Sequence, residues 1–231
     1  MSDINYLLIA VLGVLIIGII RGYKKGFLRI AVSMVSLVLV ILIATRISPF
    51  VSDFVINRTT AYEDVRHKIV EMYAEKNNVL DNSVTENQMR TIESYELPEL
   101  LAMSLITNNT SDMYNILAAS LFEEYISGYL AKIVIRAGSF VGMFVIFAII
   151  MFTILATIKI LEKIPVLRTL NRLMGVVVSL SMSLVLVWVF FIASMIFFTD
   201  SIGAWTFAQI RNSSLLTFIF NNNLLLQFIL R

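Results

Sequence analysis

The chain of 231 residues is 58% hydrophobic and 15% charged, with a formal net charge of +2 at pH 7. Its mean hydropathy of +0.86 and its apolar share, above the roughly 45–50% of ordinary globular domains, exclude a soluble single-core protein and predict a membrane protein. Cysteine is absent and His67 is the only histidine. That removes disulfides, HExxH and Cys–His zinc sites and c-type haem attachment from consideration.

Four apolar stretches, Ile4 to Ile20, Phe27 to Thr45, Ile133 to Ile158 and Leu173 to Phe198, are each near or above the roughly 17 to 25 residues that a spanning helix needs. Their only charged residues, Arg29 and Arg136, sit within a turn of a span end. The pattern predicts an all-α, integral-membrane four-helix bundle. It divides into a transmembrane hairpin (1–45), an extracytoplasmic acidic helical domain (46–132), a second hairpin (133–198) and an interfacial amphipathic segment (199–231).

The leader Met1 to Asn5 lacks a basic region, and positive charge follows the first apolar run, so that run reads as a retained span with the N-terminus outside. The first connection lies in GIIRGYKKGFLR, with Gly18, Gly22 and Gly26 four apart and Arg21, Lys24, Lys25 and Arg29 unopposed by any acid. No Ser or Thr follows the lysines, so it is not a Walker A phosphate loop. It reads as a tight turn and a packing seam together. The connection 159–172 carries Lys159, Lys163, Arg168 and Arg172 against Glu162 alone. Enrichment of short cytoplasmic loops in Lys and Arg then puts both connections inside and both termini outside.

Between residues 46 and 132, thirteen acids face seven bases, a balance that argues against nucleic acid or anionic lipid as a partner of this segment. Thr60 with Glu63, and Ser83 with Glu86, have capping-box spacing. Val65, Ile69, Met72 and Tyr73 form one face after the first, and Met89 and Ile92 a weaker one after the second. Pro98 fits a first helical position. A last outer helix is expected from Ser111 or Asp112 through Leu117, Leu121 and Tyr125, with Gly128 as its break. The asparagine-rich stretches 77–82 and 107–111 read as linkers. His67 reads as a solvent-facing helix residue rather than a metal ligand.

Serines at 33, 36, 139, 179, 181, 183 and 194 lie within spans, yet no span supplies the base that a serine nucleophile requires. The span centres hold no Asp, Glu, His or Arg, which disfavours a proton- or ion-coupled carrier. The stronger signal is small residues every fourth position: Gly18, Gly22 and Gly26, then Gly138 and Gly142, then Gly175, Ser179 and Ser183. Such stripes let helices approach closely in lipid. Contact between spans of one chain is favoured here over a homo-oligomer. In the C-terminal region, SSLLTFIFNNNLLLQFILR has two apolar clusters too short to span, separated by asparagines. It reads as a pair of interfacial helices, with Ser213 as an N-cap and Trp205 at the headgroup level. Asn-x-Ser/Thr triplets at Asn57, Asn108, Asn109 and Asn212 fit an outer location.

Three motifs in order, the G-x-x-x-G-[YF]-x-x-G-F-x-R of Gly18 to Arg29, the L-N-R-L-M-G of Leu170 to Gly175 and the SSLLTFIFNNN of Ser213 to Asn223, resemble the colicin V production (CvpA) family of bacterial membrane proteins. The resemblance covers all four spans. It implies an inner-membrane protein serving colicin V production or export and linked to envelope stress tolerance and biofilm behaviour. Some related proteins fuse these spans to an outer serine protease, but the single outer His67 here has no identified triad partners. The long outer segment, and serines in the fourth span where members often carry glycines, depart from the family pattern. The expectation is a non-enzymatic envelope or export accessory without a cofactor, partnered by the bilayer and by a second copy or a membrane partner. An oligomeric channel or small-solute pore is the alternative. Arg21, Lys24, Lys25, Arg29, Arg168 and Arg172 are candidate cytoplasmic anchors or partner contacts, although topology alone accounts for them equally well.

Overall fold

The structure, a computed structural model, describes residues 4–74, 88, 92, 95–157 and 168–230. Ser83 with Glu86, Met89, the linker 77–82, and Lys159, Glu162 and Lys163 lie outside these residues, as do the side chains of Arg29, Tyr73 and Arg168. The described residues form helices α1 (Tyr6–Lys25), α2 (Phe27–Arg58), α3 (Ala61–Ala74), α4 (Glu99–Thr107), α5 (Ser111–Leu117), α6 (Phe122–Thr157), α7 (Arg168–Ser194), α8 (Ser201–Arg211), α9 (Ser214–Asn221) and α10 (Leu224–Leu230). A short 3-10 turn, Met195–Phe197, follows α7.

Helices α1, α2, α6 and α7 are long and apolar enough to cross a membrane, so the chain is a multi-pass membrane protein. Their outward faces are apolar, with Ile17 65%, Phe152 74% and Val177 59% exposed. In water such exposure would favour collapse or aggregation; in hydrocarbon it costs nothing.

The first connection is shorter than its sequence suggests. Asn5 caps α1 by accepting from the Leu8 N–H at 2.8 Å, and the helix runs on through Arg21, Lys24 and Lys25. Cations in this last turn complement the negative end of the helix dipole. Gly26 alone separates α1 from α2, at φ 72° and ψ 166°, a region essentially restricted to glycine. Beyond that turn the two helices diverge. α1 packs along α7, and α2 along α6 and α7, whereas α1 barely touches α2. Spans adjacent in sequence are therefore not the tightly packed pairs.

α2 has 32 residues and α6 has 36, giving lengths of about 48 and 54 Å at 1.5 Å per residue. A hydrocarbon core of about 30 Å cannot contain either, so both project well beyond it. The expected divisions at 45/46 and 132/133 thus fall inside unbroken helices. α2 continues past Pro49, whose missing N–H leaves one turn without its ladder bond. α6 runs straight through Gly128, where Tyr62 Oη donates to the Gly128 carbonyl at 3.4 Å. The break lies upstream instead. Ala118 ends α5 in the left-handed region at φ 49°, and Glu124 accepts from the Ser120 and Leu121 N–H groups at 2.7 and 3.2 Å to start α6.

Around the projecting half of α6, helices α3, α4 and α5 build a small core that includes Ile69, Leu101, Leu105 and Tyr125, each fully buried. Tyrosines tie this core together. Tyr125 Oη donates to the Leu105 carbonyl at 2.6 Å, Tyr129 Oη lies 2.6 Å from Ser104 Oγ, and Tyr114 stacks on Tyr125 with ring centroids 5.0 Å apart. Asn108 Nδ2 donates to the Ser104 carbonyl and to Tyr129 Oη. At the start of α3 the Thr60 hydroxyl donates to the Asp64 carboxylate at 3.0 Å, so Asp64 rather than Glu63 is its partner. Pro98 stands one residue ahead of α4.

The two apolar clusters of the C-terminal stretch form two short helices, α9 and α10, and a third, α8, precedes them. Ser213 caps α9 by accepting from the Leu216 N–H at 3.4 Å. Asn223, fully buried, caps α10 by accepting from the Leu225 and Leu226 N–H groups at 3.1 and 3.0 Å. Its Nδ2 donates to the Trp188 carbonyl at 3.1 Å, while Trp188 Nε1 donates to the Ile219 carbonyl at 3.1 Å. These bonds fasten α9 and α10 to α7, and Phe220 packs against Phe191 and Phe207 at centroid distances of 5.6 and 6.3 Å. The outer faces of these helices, through Trp205, Phe218, Leu224 and Phe228, remain exposed and apolar. An amphipathic layer of this kind lies at a bilayer surface with its apolar face in the acyl boundary.

Candidate functional site

The small-residue stripes of α1 and α7 meet face to face. A Cβ on Gly22 would lie 2.5 Å from the Gly175 carbonyl oxygen, and one on Gly175 would lie 2.5 Å from the Gly22 carbonyl oxygen. Higher in the seam, Gly18 abuts Ser183, and a Cβ there would come within 3.1 Å of Ser183 Cβ and 3.3 Å of the Ser179 carbonyl. Gly26 closes the row against Asn171. The Ser183 hydroxyl donates to the Ser179 carbonyl at 3.0 Å, so it is satisfied within its own helix and presents little polarity to α1. Backbones this close gain dispersion contacts along their whole length, which is the main attraction available between helices in lipid.

Gly138 and Gly142 take no part in this seam. Gly138 has only Ile196 Cγ1 nearby, at 3.9 Å, and nothing lies within 4 Å of a Cβ on Gly142. α6 turns Ala137, Phe140 and Phe144 into the bundle instead, which leaves Gly142 on the exposed side.

At the end of the bundle where α1 terminates, Arg21, Lys24, Lys25 and Arg172 are all exposed. Arg172 places its guanidinium 5.1 Å from the centre of the Tyr23 ring, a cation–π contact that ties the start of α7 to the end of α1. Among the described residues no ion pair involves any of these cations. The pairs present, Arg66 with Glu63 at 3.8 Å and Arg211 with Glu96 at 3.0 Å, belong to the opposite side. The backbones of Arg29 and Arg168 begin α2 and α7 at this same end. All six candidate anchor cations therefore share one end of the bundle.

Because the seam holds α1 on α7, a cleft of about 380 Å³ opens between α1 and α2, with α7 as its floor. Val14, Ile17, Met182 and Leu186 give it apolar walls, Ser33, Ser179 and Ser183 add hydroxyls, and Arg21 and Lys25 stand where α1 ends. Ser33 and Met182 carried no distinguishing signal in the sequence, since only the divergence of α1 from α2 brings them to a shared space.

Two other clefts lie towards the projecting domain. One of about 230 Å³ is bordered by Ser48, Pro49, Asp53, Arg136 and Phe228. Arg136 is already engaged there, donating to the Ile229 carbonyl at 3.2 Å, while Tyr129 Oη reaches the Leu230 carbonyl at 3.3 Å. Together they cover the last carbonyls of α10, the end at which a helix favours a cation. The other, about 410 Å³, places His67 with Glu63, Arg66, Glu123 and Glu124 between α3 and α6. Among the described residues no group of three or more His, Cys, Asp or Glu is placed to hold a metal ion.

Comparison with family models, curated proteins and solved structures finds no match.

Proposed function

We propose that the chain is a non-enzymatic protein of a bacterial cell (inner) membrane, of the colicin V production type, which presents a rigid helical platform to an export or envelope partner. The observation that carries this reading is the continuity of α2 and α6 from the bundle into the acidic domain. Two helices that pass from bundle to platform without a loop, α2 through Pro49 and α6 through Gly128, join anchor and platform directly. A displacement or load applied to the domain therefore passes directly to the spans. Charge supports the orientation: the basic end faces the cytoplasm and the acidic platform faces out.

Two measurements test the proposal. With Cys absent from the natural chain, single cysteines at Lys24 and Asp112 give clean labelling sites. Lys24→Cys is expected to react only from the cytoplasmic side of sealed membranes and Asp112→Cys only from outside; the reverse pattern would overturn the orientation. Cross-linking in native membranes, followed by identification of what co-purifies, is expected to return a distinct membrane partner. Recovery of the chain alone, together with steady conductance from purified protein in liposomes, would favour the oligomeric channel instead.

A further inference from the structure

The structure points to a second property that does not depend on which side of the membrane is cytoplasmic. We propose that the cleft between α1 and α2 holds one anionic phospholipid from the leaflet at the basic end of the bundle. Its phosphate rests on Arg21 and Lys25, and one acyl chain lies along α7.

The cleft follows from the fold. Gly22 and Gly175 press backbone on backbone, so α1 cannot swing toward α2 without giving up the seam, and the one-residue turn at Gly26 fixes how the two helices diverge. Length then selects the occupant. From Lys25 to Val14 the cleft follows twelve residues of α1, eleven helical steps or about 16 Å. With the phosphate on the first turn, at Arg21 and Lys25, the remainder follows most of one leaflet's half of a hydrocarbon core about 30 Å thick, the region that an acyl chain occupies. A free phosphate would leave this apolar length unfilled, and water is a poor tenant for walls of Val14, Ile17, Met182 and Leu186.

Charge selects the headgroup. Arg21 and Lys25 make no ion pair among the described residues, and a direct contact between an exposed cation and a phosphate contributes up to about fivefold, a gain that a cation outside the cleft does not share. Arg adds a planar fork that matches two phosphate oxygens, and Lys a point charge. Lys24, on the neighbouring face of the same turn, does not border the cleft. It therefore serves as an internal control for charge without geometry.

Native mass spectrometry of the full-length protein, released from detergent after incubation with equal amounts of chain-matched phosphatidylglycerol and phosphatidylcholine, tests the site. The natural chain is expected to retain one phosphatidylglycerol with a preference of up to about 25-fold, fivefold for each cation. Arg21→Gln with Lys25→Gln should abolish the preference, while Lys24→Gln should leave it within about twofold. Ser33→Phe, which fills the cleft and touches no charge, should lower retention of both lipids; its melting temperature reports whether the fold survives. Equal retention of the two lipids by the natural chain would overturn the proposal. So would a loss with Lys24→Gln equal to that of the double variant, or full retention in a folded Ser33→Phe protein.

Discussion

Gly22→Leu is expected to destabilise the bundle by about 3 kcal/mol or more, the upper end of what overpacking costs. The neighbours of a Cβ at this position are the Gly175 carbonyl oxygen at 2.5 Å, Val176 Cα at 2.7 Å and the Gly175 carbonyl carbon at 2.8 Å. All are backbone atoms, which cannot rotate away as a side-chain tip can. The strain relaxes only if α1 and α7 move apart, and that separation forfeits the close contacts of Gly18 and Gly26 as well. Thermal unfolding in detergent measures the loss. Gly142→Leu is the control, because nothing lies within 4 Å of an added Cβ and the site is exposed; its effect should run from neutral to stabilising by about 0.8 kcal/mol, since leucine has the higher helix propensity. A larger effect at Gly142 than at Gly22 would place the working glycine seam on α6, between copies of the chain.

Asn223→Ala is expected to cost about 3 kcal/mol, whereas Asn222→Ala costs less than about 0.5 kcal/mol. The two residues are adjacent and chemically identical, but Asn223 is fully buried and Asn222 exposed. Alanine at 223 removes the cap of α10 and leaves the Leu226 N–H, in a buried residue, without its side-chain acceptor. It also removes the donor to the Trp188 carbonyl. Asn222 donates only to the Phe218 carbonyl of its own helix, at the surface. Limited proteolysis reads the difference directly: with Asn223→Ala the segment after α7 should be cut faster, and with Asn222→Ala at an unchanged rate. Equal cleavage of the two variants would contradict the capping role.

The spans were legible because their signal is local. Long uncharged apolar runs such as Leu173 to Phe198 fix both helix and environment, and small residues at fourth positions mark faces suited to close packing. Which stripe meets which was not legible. Gly138 with Gly142 has the same spacing as Gly18 with Gly22, and only the three-dimensional path of α1 onto α7 separates a packed face from an exposed one. Gly128 was misleading for a related reason: its low helix propensity is a weak local preference, and burial of α6 among the tyrosines of the projecting domain overrides it. The asparagines at 221–223 read as a polar spacer because a sequence does not show that one of them caps a helix from within the core. The lipid cleft was the least legible feature. Its walls join α1 and α2 to α7, which lies far along the chain, and nothing in the sequence set Arg21 and Lys25 apart from the other candidate anchor cations at that end.

The pairing of α1 with α7 within one chain underlies both the seam and the cleft, and a disulfide tests it most directly. Gly18→Cys with Ser183→Cys, in a sequence that otherwise lacks cysteine, pairs positions at which a Cβ added to Gly18 would lie 3.1 Å from Ser183 Cβ, a few tenths of an ångström short of the usual disulfide range, so a slight parting of the helices admits the bridge. Mild oxidation in native membranes is expected to give a monomer of altered electrophoretic mobility that reverts on reduction. A covalent dimer, or the absence of any cross-link in a folded protein, would contradict the pairing and remove the basis of the cleft with it.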